Sequence, residues 1–254
     1  MTGDALLELA AGLALRAAEA ILAIRERGFD VARKADRSVV TEADHAAEAI
    51  LVAGLRAAAP DIPVIAEEEV AGGARFVASP CFWLVDPLDG TREFVDGNDD
   101  FAVNIGLVRD GRMVLGVVGV PATGELFGGI VGRGAWKRHN GVETPVRARV
   151  VPAEGLTVLA SRHHGNAARL EAFLAGRTVA KTMNFGSSLK FCRLAEGIAD
   201  LYPRLGRTME WDTAAPQAVL EAAGGTVRTL DGQPLGYGKP GWENPHFVCT
   251  GIPS

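Results

Sequence analysis

The sequence predicts a layered α/β protein with mixed sheets. Three observations carry that prediction. The amino-terminal stretch has the apolar spacing of an amphipathic helix, short apolar runs bounded by turn residues fill the middle, and strand-like and helix-like runs alternate after about residue 150.

Taken in order, MTGDALLELAAGLALRAAEAILAIRERG places Leu6, Leu9, Leu13, Ala17, Ile21 and Ile24 on one helical face. DVARKADRSVV reads as a short strand running into a loop. TEADHAAEAILVAGLRAAAP reads as a second helix, with Thr41 as N-cap and Pro60 after its end. IPVIAEEE is a strand that stops in three acids. CFWLVDPLDGT is an apolar strand over 82–85, stopped at Asp86-Pro87. FAVNIGLVRDGRMVLGVVGVP is a hairpin turning at Arg109-Asp110-Gly111, and another turn falls at His139-Asn140-Gly141. Then come the strand LTVLASR, the helix NAARLEAFLAG, the helix SSLKFCRLAEG capped by Ser187 or Ser188, and the strand ADLYPR. The helix WDTAAPQAVLEAAGG ends at Gly224-Gly225. There is no repeat, low-complexity tract or long linker. Residues 140–155 are the expected join between an amino-terminal half, 1–145, and a carboxy-terminal half, 146–254.

Composition narrows the function. The 254 residues are 48% hydrophobic and 22% charged, which suits a buried core and excludes disordered, collagen-like and coiled-coil chains. Lys and Arg number 26 against 31 Asp and Glu, a formal charge of −5. That argues against a general nucleic-acid binder and leaves carboxylates free to hold cations. Cys81, Cys192 and Cys249 are odd in number and lack C-x-x-C spacing, which argues against a disulfide framework or thiolate zinc site and suits a reducing cytosol. Asp4 and Glu8 precede the first apolar run and Arg16, Glu19, Arg25 and Glu26 interrupt it, unlike a signal peptide. The longest later run, 113–120, is too short for a bilayer. The expected location is cytoplasmic, with peripheral association at the inner face of the membrane left open.

The informative feature is where the acids fall. Glu67, Glu68 and Glu69 end one strand, Asp86 and Asp89 end another, and Asp212 opens a helix. In α/β folds, ligands gather at the carboxyl ends of strands. Carboxylates brought together there raise one another's pKa, and a hard divalent cation such as Mg²⁺ relieves that cost while binding a phosphate alongside. In Asp86-Pro87-Leu88-Asp89-Gly90-Thr91, Pro87 stiffens the exit from the strand. The turn can aim Asp86, Asp89 and the Leu88 carbonyl at one point. Gly90 lets backbone approach an anion, and a helical turn begun at Thr91 directs N–H groups to it. The plainer readings are a turn with capping acids, a solvated Glu run and an N-cap at Asp212. Thr41-x-x-Asp44 also has the spacing of a capping box.

At these residues the chain resembles the Mg²⁺-dependent, lithium-sensitive inositol monophosphatase superfamily, with WLVDPLDGTREF and EWDTAAPQAVLEAAGG similar to its two signatures. KADRSVVTEADHAA, DPLDGTREFVDGNDDFAVNIGLV, GSSLKFCRLAEGIADLYPR and YGKPGWENPHFV resemble its CysQ-type 3'(2'),5'-bisphosphate nucleotidase branch. The resemblance implies an alternating α/β/α/β/α sandwich and a site holding two or three Mg²⁺. It implies that Glu67, Asp86, Asp89 and the Leu88 carbonyl hold activating metals, with Glu68 the alternative to Glu67 and otherwise an outer-shell helper. Asp212 would join Asp89 on a second metal. Thr91 and Asp44 would orient and deprotonate the attacking water. Gly90, Thr91, Ser187, Ser188, Lys190 and Arg204, with His164, would meet the substrate. One departure is Pro216, where the second signature usually carries glycine.

The implied activity is removal of the 3'-phosphate of adenosine 3',5'-bisphosphate, and also of its sulfated form, by a metal-activated water. The alternatives are an inositol-phosphate, histidinol-phosphate or sugar-bisphosphate phosphatase, or a non-catalytic metal and phosphate binder. A homodimer is implied by resemblance alone. Asp36 and Ser38 are expected to shape the loop ahead of Thr41, and Trp211 to buttress Asp212.

Overall fold

The computed structural model describes residues 1–34, 39–76, 79–162 and 167–252. The first predicted helix forms as α1 (Gly3–Arg27), capped by Thr2, and all its predicted inward residues are buried except Leu9, which packs at the core's margin. Strands β1 (Val31–Arg33) and β2 (Val39–Thr41) form a small antiparallel pair ahead of α2 (Glu42–Ala58). Then follow β3 (Val64–Ala66), α3 (Glu67–Ala71), β4 (Cys81–Asp89), α4 (Thr91–Val95), β5 (Ala102–Arg109) and β6 (Arg112–Val120). Strands β7 (Glu125–Ile130), β8 (Gly134–His139) and β9 (Val142–Val146) complete a seven-stranded sheet in simple sequential order. Only the β3–β4 pair of that sheet is parallel.

The rest of the chain supplies β10 (Leu156–Ser161), α5 (Ala167–Leu174), β11 (Val179–Phe185), α6 (Leu189–Ala195), β12 (Leu201–Arg204), α7 (Glu210–Ala222), β13 (Thr226–Thr229) and β14 (Phe247–Thr250). Its strands form a five-stranded sheet ordered β11-β10-β12-β14-β13. Both sheets are mixed, as expected.

Side-chain alternation in β4 sets the layers. Trp83 and Val85 face a core built with α1 and α2, whereas Phe82 and Leu84 face Trp211, Ala214 and Ala218 of α7. Between the sheets, Ala215, Val219, Phe191 and Cys192 share a core with Val118 and Phe127 of the first sheet and Leu159, Tyr202, Val227 and Phe247 of the second. α5, none of whose residues is buried, lies outermost near Val179. The order is α/β/α/β/α, the last layer thin.

Helix α7 lies very close to the first sheet because β5 and β6 carry glycine beneath it. A Cβ on Gly106 would sit 2.7 Å from Ala215 N, and one on Gly116 would come closer still to the Ala215 carbonyl. Strands β7, β8 and β9 have no counterpart in the sequence reading beyond the turn between the last two; β9 is mostly exposed and lacks the apolar run that marks a strand. Among the described residues no helix is long and apolar enough to cross a membrane.

Candidate active site

Parallel pairing of β3 with β4 puts Ala66 beside Val85, so Glu67 emerges next to Asp86. The three glutamates form the first turn of α3, where the helix dipole favours anions. Strand β4 does not stop at Val85, as the sequence suggested. It runs to Asp89 through an irregularity between Asp86 and Asp89 that accommodates Pro87, which has no N–H to give the ladder. Asp86 has the parity of Phe82 and Leu84 and therefore faces α7. Its Oδ1 accepts from the Leu88 N–H at 3.0 Å.

Gly90 takes φ +91°, where a Cβ would press on the Asp100 carbonyl and Ser187, and Thr91 starts α4 as expected. The Thr91 Oγ lies 3.0 Å from Asp44 Oδ1 and 3.1 Å from the Leu88 carbonyl. Asp44 also completes a capping box: its Oδ2 accepts from the Thr41 N–H and Oγ, both at 2.8 Å. One Asp44 oxygen thus serves the helix cap and the other faces Thr91.

Helix α7 brings Asp212. It begins at Glu210, so Asp212 is not the N-cap; its Oδ2 reaches back to accept from the Met209 N–H at 2.9 Å. Pro216 then lies in the second turn rather than at the tolerant first one. Its missing N–H leaves the Asp212 carbonyl without the usual i+4 donor. Trp211 is buried behind Asp212 against Ile65 and Phe82, as expected of a buttress.

The carboxylates perturb one another. Burial pushes Asp86 well above its ordinary value, and Glu67, Asp89 and Asp212 push it further. Asp212 is pushed up to about 8 by burial, then by Asp89 and Glu67. Burial raises Asp89 against the pull of Lys190, and raises Glu67 against the pull of Lys34. Asp44 is likewise raised by burial. Among the described residues no three acidic, His or Cys side chains are grouped closely enough to form a closed cage. The Lys34 Nζ bridges Glu67 Oε1 at 2.8 Å and Glu68 Oε1 at 2.6 Å. A buried set of hard oxygen donors at mutual electrostatic cost fits Mg²⁺.

Across a cleft of about 610 Å³ stand Ser187, Ser188, Lys190 and Arg204. Ser187 takes φ +41°. The Ser188 N–H donates to Asp89 Oδ2 in a very short contact, while its Oγ turns inward to Asn104. Ser188 precedes α6 without capping it through its side chain. The Lys190 Nζ is buried and donates to the Phe185 carbonyl at 3.1 Å and the Ser187 carbonyl at 2.6 Å, which stiffens this loop. Burial lowers Lys190 to about 8. Arg204 donates to Ser161 Oγ at 3.0 Å and the Arg207 carbonyl at 2.7 Å. His164, Asp36 and Ser38 lie outside the described residues.

Sequence reasoning missed several neighbours. Lys34 opens the stretch KADRSVVTEADHAA, but nothing in that stretch pointed to its pairing with the glutamates. Glu48, whose Oε2 accepts from the Glu68 N–H at 2.7 Å and whose burial pushes it up to about 7, was findable: it follows Asp44 by one helical turn in α2. Glu210, fully buried, accepts from the Gly238 and Lys239 N–H groups and anchors the carboxy-terminal loop beneath Asp212. Asn244 Nδ2 donates to the Met209 carbonyl at 2.7 Å and fixes the same helix start.

Known proteins share this architecture. The 3'(2'),5'-bisphosphate nucleotidase CysQ of Shigella flexneri is 43% identical over 238 residues, covering 92% of this chain and 95% of that one. A crystal structure of CysQ from Bacteroides thetaiotaomicron, described as a bacterial member of the inositol monophosphatase family, superposes with a TM-score of 0.83 at 34% identity over 99% of each chain. An inositol monophosphatase from Anabaena gives 0.77 at 26% identity, over 98% of this chain and 91% of that one. The model of the inositol monophosphatase family matches residues 3–248, and with the carboxylates, Thr91 and α7 disposed as above, the chain belongs to the inositol monophosphatase family.

Proposed function

We propose that this cleft hydrolyses the 3'-phosphate of adenosine 3',5'-bisphosphate, and that of its sulfated form, with Mg²⁺. The observation that carries the reading is the set of Glu67, Asp89 and Asp212 at one end of a cleft whose other side carries Lys190 and Arg204, with Asp86 buried beside them and all four acids raised by burial. One end suits a cation-bound phosphate and the other a second anionic group. Relatives named as 3'(2'),5'-bisphosphate nucleotidases support the substrate class.

Glu67, Asp86, Asp89, Asp212 and the Leu88 carbonyl are the residues that would hold the metal, two or three ions per site. When bound there, Mg²⁺ neutralises phosphate oxygens and acidifies a water. The protein's own groups do the rest. A water at the Thr91 Oγ gives its proton through that hydroxyl to Asp44, which burial makes a better base than a free aspartate. The Gly90 and Thr91 N–H groups at the start of α4 receive phosphate oxygens. The loop bearing Ser187 and Ser188, with Lys190 and Arg204, holds the rest of the nucleotide so that the scissile bond lies in line with the attacking water. The water oxygen bonds phosphorus, the P–O ester bond breaks, and the leaving oxygen takes a proton from solvent. Phosphoryl transfer needs mainly position and charge neutralisation, so no covalent protein nucleophile takes part. The buried Cys192 and Cys249 thiols, raised by burial, agree with that.

The test is a panel of adenosine 3',5'-bisphosphate, inositol 1-phosphate, histidinol phosphate and fructose 1,6-bisphosphate with Mg²⁺, with and without Li⁺. The expected result is the highest kcat/KM for the nucleotide, loss on chelation and inhibition by Li⁺. A strong preference for inositol phosphate would overturn the substrate, and release of phosphate from none would favour a binding protein.

A further inference from the structure

Asn104 interrupts the apolar run of β5 and is fully buried. Its Oδ1 accepts from the Ser188 Oγ at 2.9 Å, and its Nδ2 has no hydrogen-bond partner among the described residues. An unsatisfied buried donor is costly, and an aliphatic residue would suit β5 better if packing alone mattered. In the ladder Asn104 stands opposite Asp86, and opposed side chains share a face. Gly106, two residues on, lies under α7, so that face is the one turned to Asp212 and the substrate loop. Ser188 in turn donates its N–H to Asp89. One serine therefore joins the substrate loop both to a carboxylate of the cluster and to the residue opposite another.

We propose that Asn104 is a positioning residue which, through Ser188, sets the loop at 186–190 against the carboxylate cluster and so decides how well a substrate with a second phosphate is held. This rests on the reading above that the loop meets the remainder of the nucleotide. A neutral amide suits the place: it accepts the serine proton without adding another negative charge beside Asp86. The loop is held by Lys190 on the Ser187 and Phe185 carbonyls, by Asp100 on the Gly186 N–H and by Asp89 on the Ser188 N–H, and Asn104 adds the one anchor on the Ser188 side chain. Ser187, held at positive φ between them, is oriented from both sides. Asn104 does not line the cleft and acts only through Ser188.

The experiment compares two substrates, adenosine 3',5'-bisphosphate and p-nitrophenyl phosphate, which has no second anion. Asn104→Ala should raise KM for the bisphosphate by roughly 10-fold, the worth of one good hydrogen bond, and leave kcat for p-nitrophenyl phosphate within about threefold. Ser188→Ala breaks the same bond from its other end and should raise the bisphosphate KM comparably. The double variant should be no worse than about twofold beyond the more impaired single one. Equal losses on both substrates, or multiplying effects in the double variant, would overturn the proposal. Where Asn104→Ala does not fold, an unchanged KM in Ser188→Ala does so. A wild-type enzyme without preference for the bisphosphate overturns the functional reading and this inference with it. A preference that survives both substitutions overturns this inference alone.

Discussion

Replacing Asp212 with asparagine should stabilise the cation-free protein and at the same time blunt its response to Mg²⁺. The asparagine Oδ1 can still accept from the Met209 N–H that Asp212 Oδ2 holds at 2.9 Å, so the helix start is preserved. What changes is charge. Burial, Asp89 and Glu67 push Asp212 from 3.8 to about 8. A carboxyl raised on folding contributes stability that is complete below its unfolded value and is lost as pH rises through its folded one. The relevant window therefore runs from about pH 4 to about pH 8. At ~1.4 kcal/mol per tenfold, the displacement of Asp212 sets a ceiling of roughly 6 kcal/mol. Repulsion shared with Asp89 and Glu67, and partly relieved by Arg204, leaves an advantage for asparagine that grows by ~1–3 kcal/mol between pH 5 and pH 8. For a chain of this size that is roughly 3–9 °C in Tm.

The assay is thermal unfolding in chelator across that range, followed by a Mg²⁺ titration at pH 8. The wild type should lose Tm as pH rises and regain it with Mg²⁺, since a ligand that binds only the folded state stabilises by mass action. The variant should show a flatter pH profile and a smaller gain. A Tm difference that is the same at every pH, a less stable variant at pH 8, or a Mg²⁺ gain equal to the wild type would refute the electrostatic argument.

Other predictions test separate parts. Asp89→Asn should lower turnover at saturating Mg²⁺ by at least ~10²–10³-fold, and near-normal turnover would remove Asp89 from its assigned role. Thr91→Val should cost kcat about 10²–10⁴-fold with little change in Tm, while Thr91→Ser keeps most activity; equal activity of the two would mean the hydroxyl passes no proton. Gly106→Ala, whose new Cβ would meet Ala215 N at 2.7 Å, should cost ~1–3 kcal/mol in urea unfolding through overpacking. Pro216→Ala gives the Asp212 carbonyl its missing donor; relief of up to about 3 kcal/mol, less ~1 kcal/mol for lost packing, should leave a net gain in the same assay, and no gain would show that the helix already accommodates proline.

Much of this was legible because local chemistry and tertiary placement agree. The Thr41 cap with Asp44 three residues on, the glutamates stopping β3, and the Thr91 helix start are local signals that the fold uses as they stand. The errors arose where tertiary contacts outweigh local rules. Asp86-Pro87 reads as a strand stop, but pairing with Asn104 and Ala102 carries β4 through to Asp89. Asp212 reads as an N-cap, but Glu210, held by the Gly238 and Lys239 N–H groups, draws the helix start forward. Asn104 is a polar residue inside an apolar strand, a visible signal whose meaning needed its partner Ser188, just ahead of α6. Lys34 and Glu68 meet across a long stretch of chain, and no periodicity announces such a pair.

The site also explains why the two sheets must sit as they do. Helix α7 belongs by sequence to the second half, yet Ala214 and Ala218 pack on β4 and β5 while Ala215 and Val219 join the core with the second sheet. Asp212 near its start therefore reaches Asp86 and Asp89 only when α7 is seated on Gly106 and Gly116. The Ser188 N–H makes a second crossing from the α6 side to Asp89. Neither half alone carries all of the proposed ligands, so a cation held by them would oppose separation of the sheets as well as relieve charge repulsion.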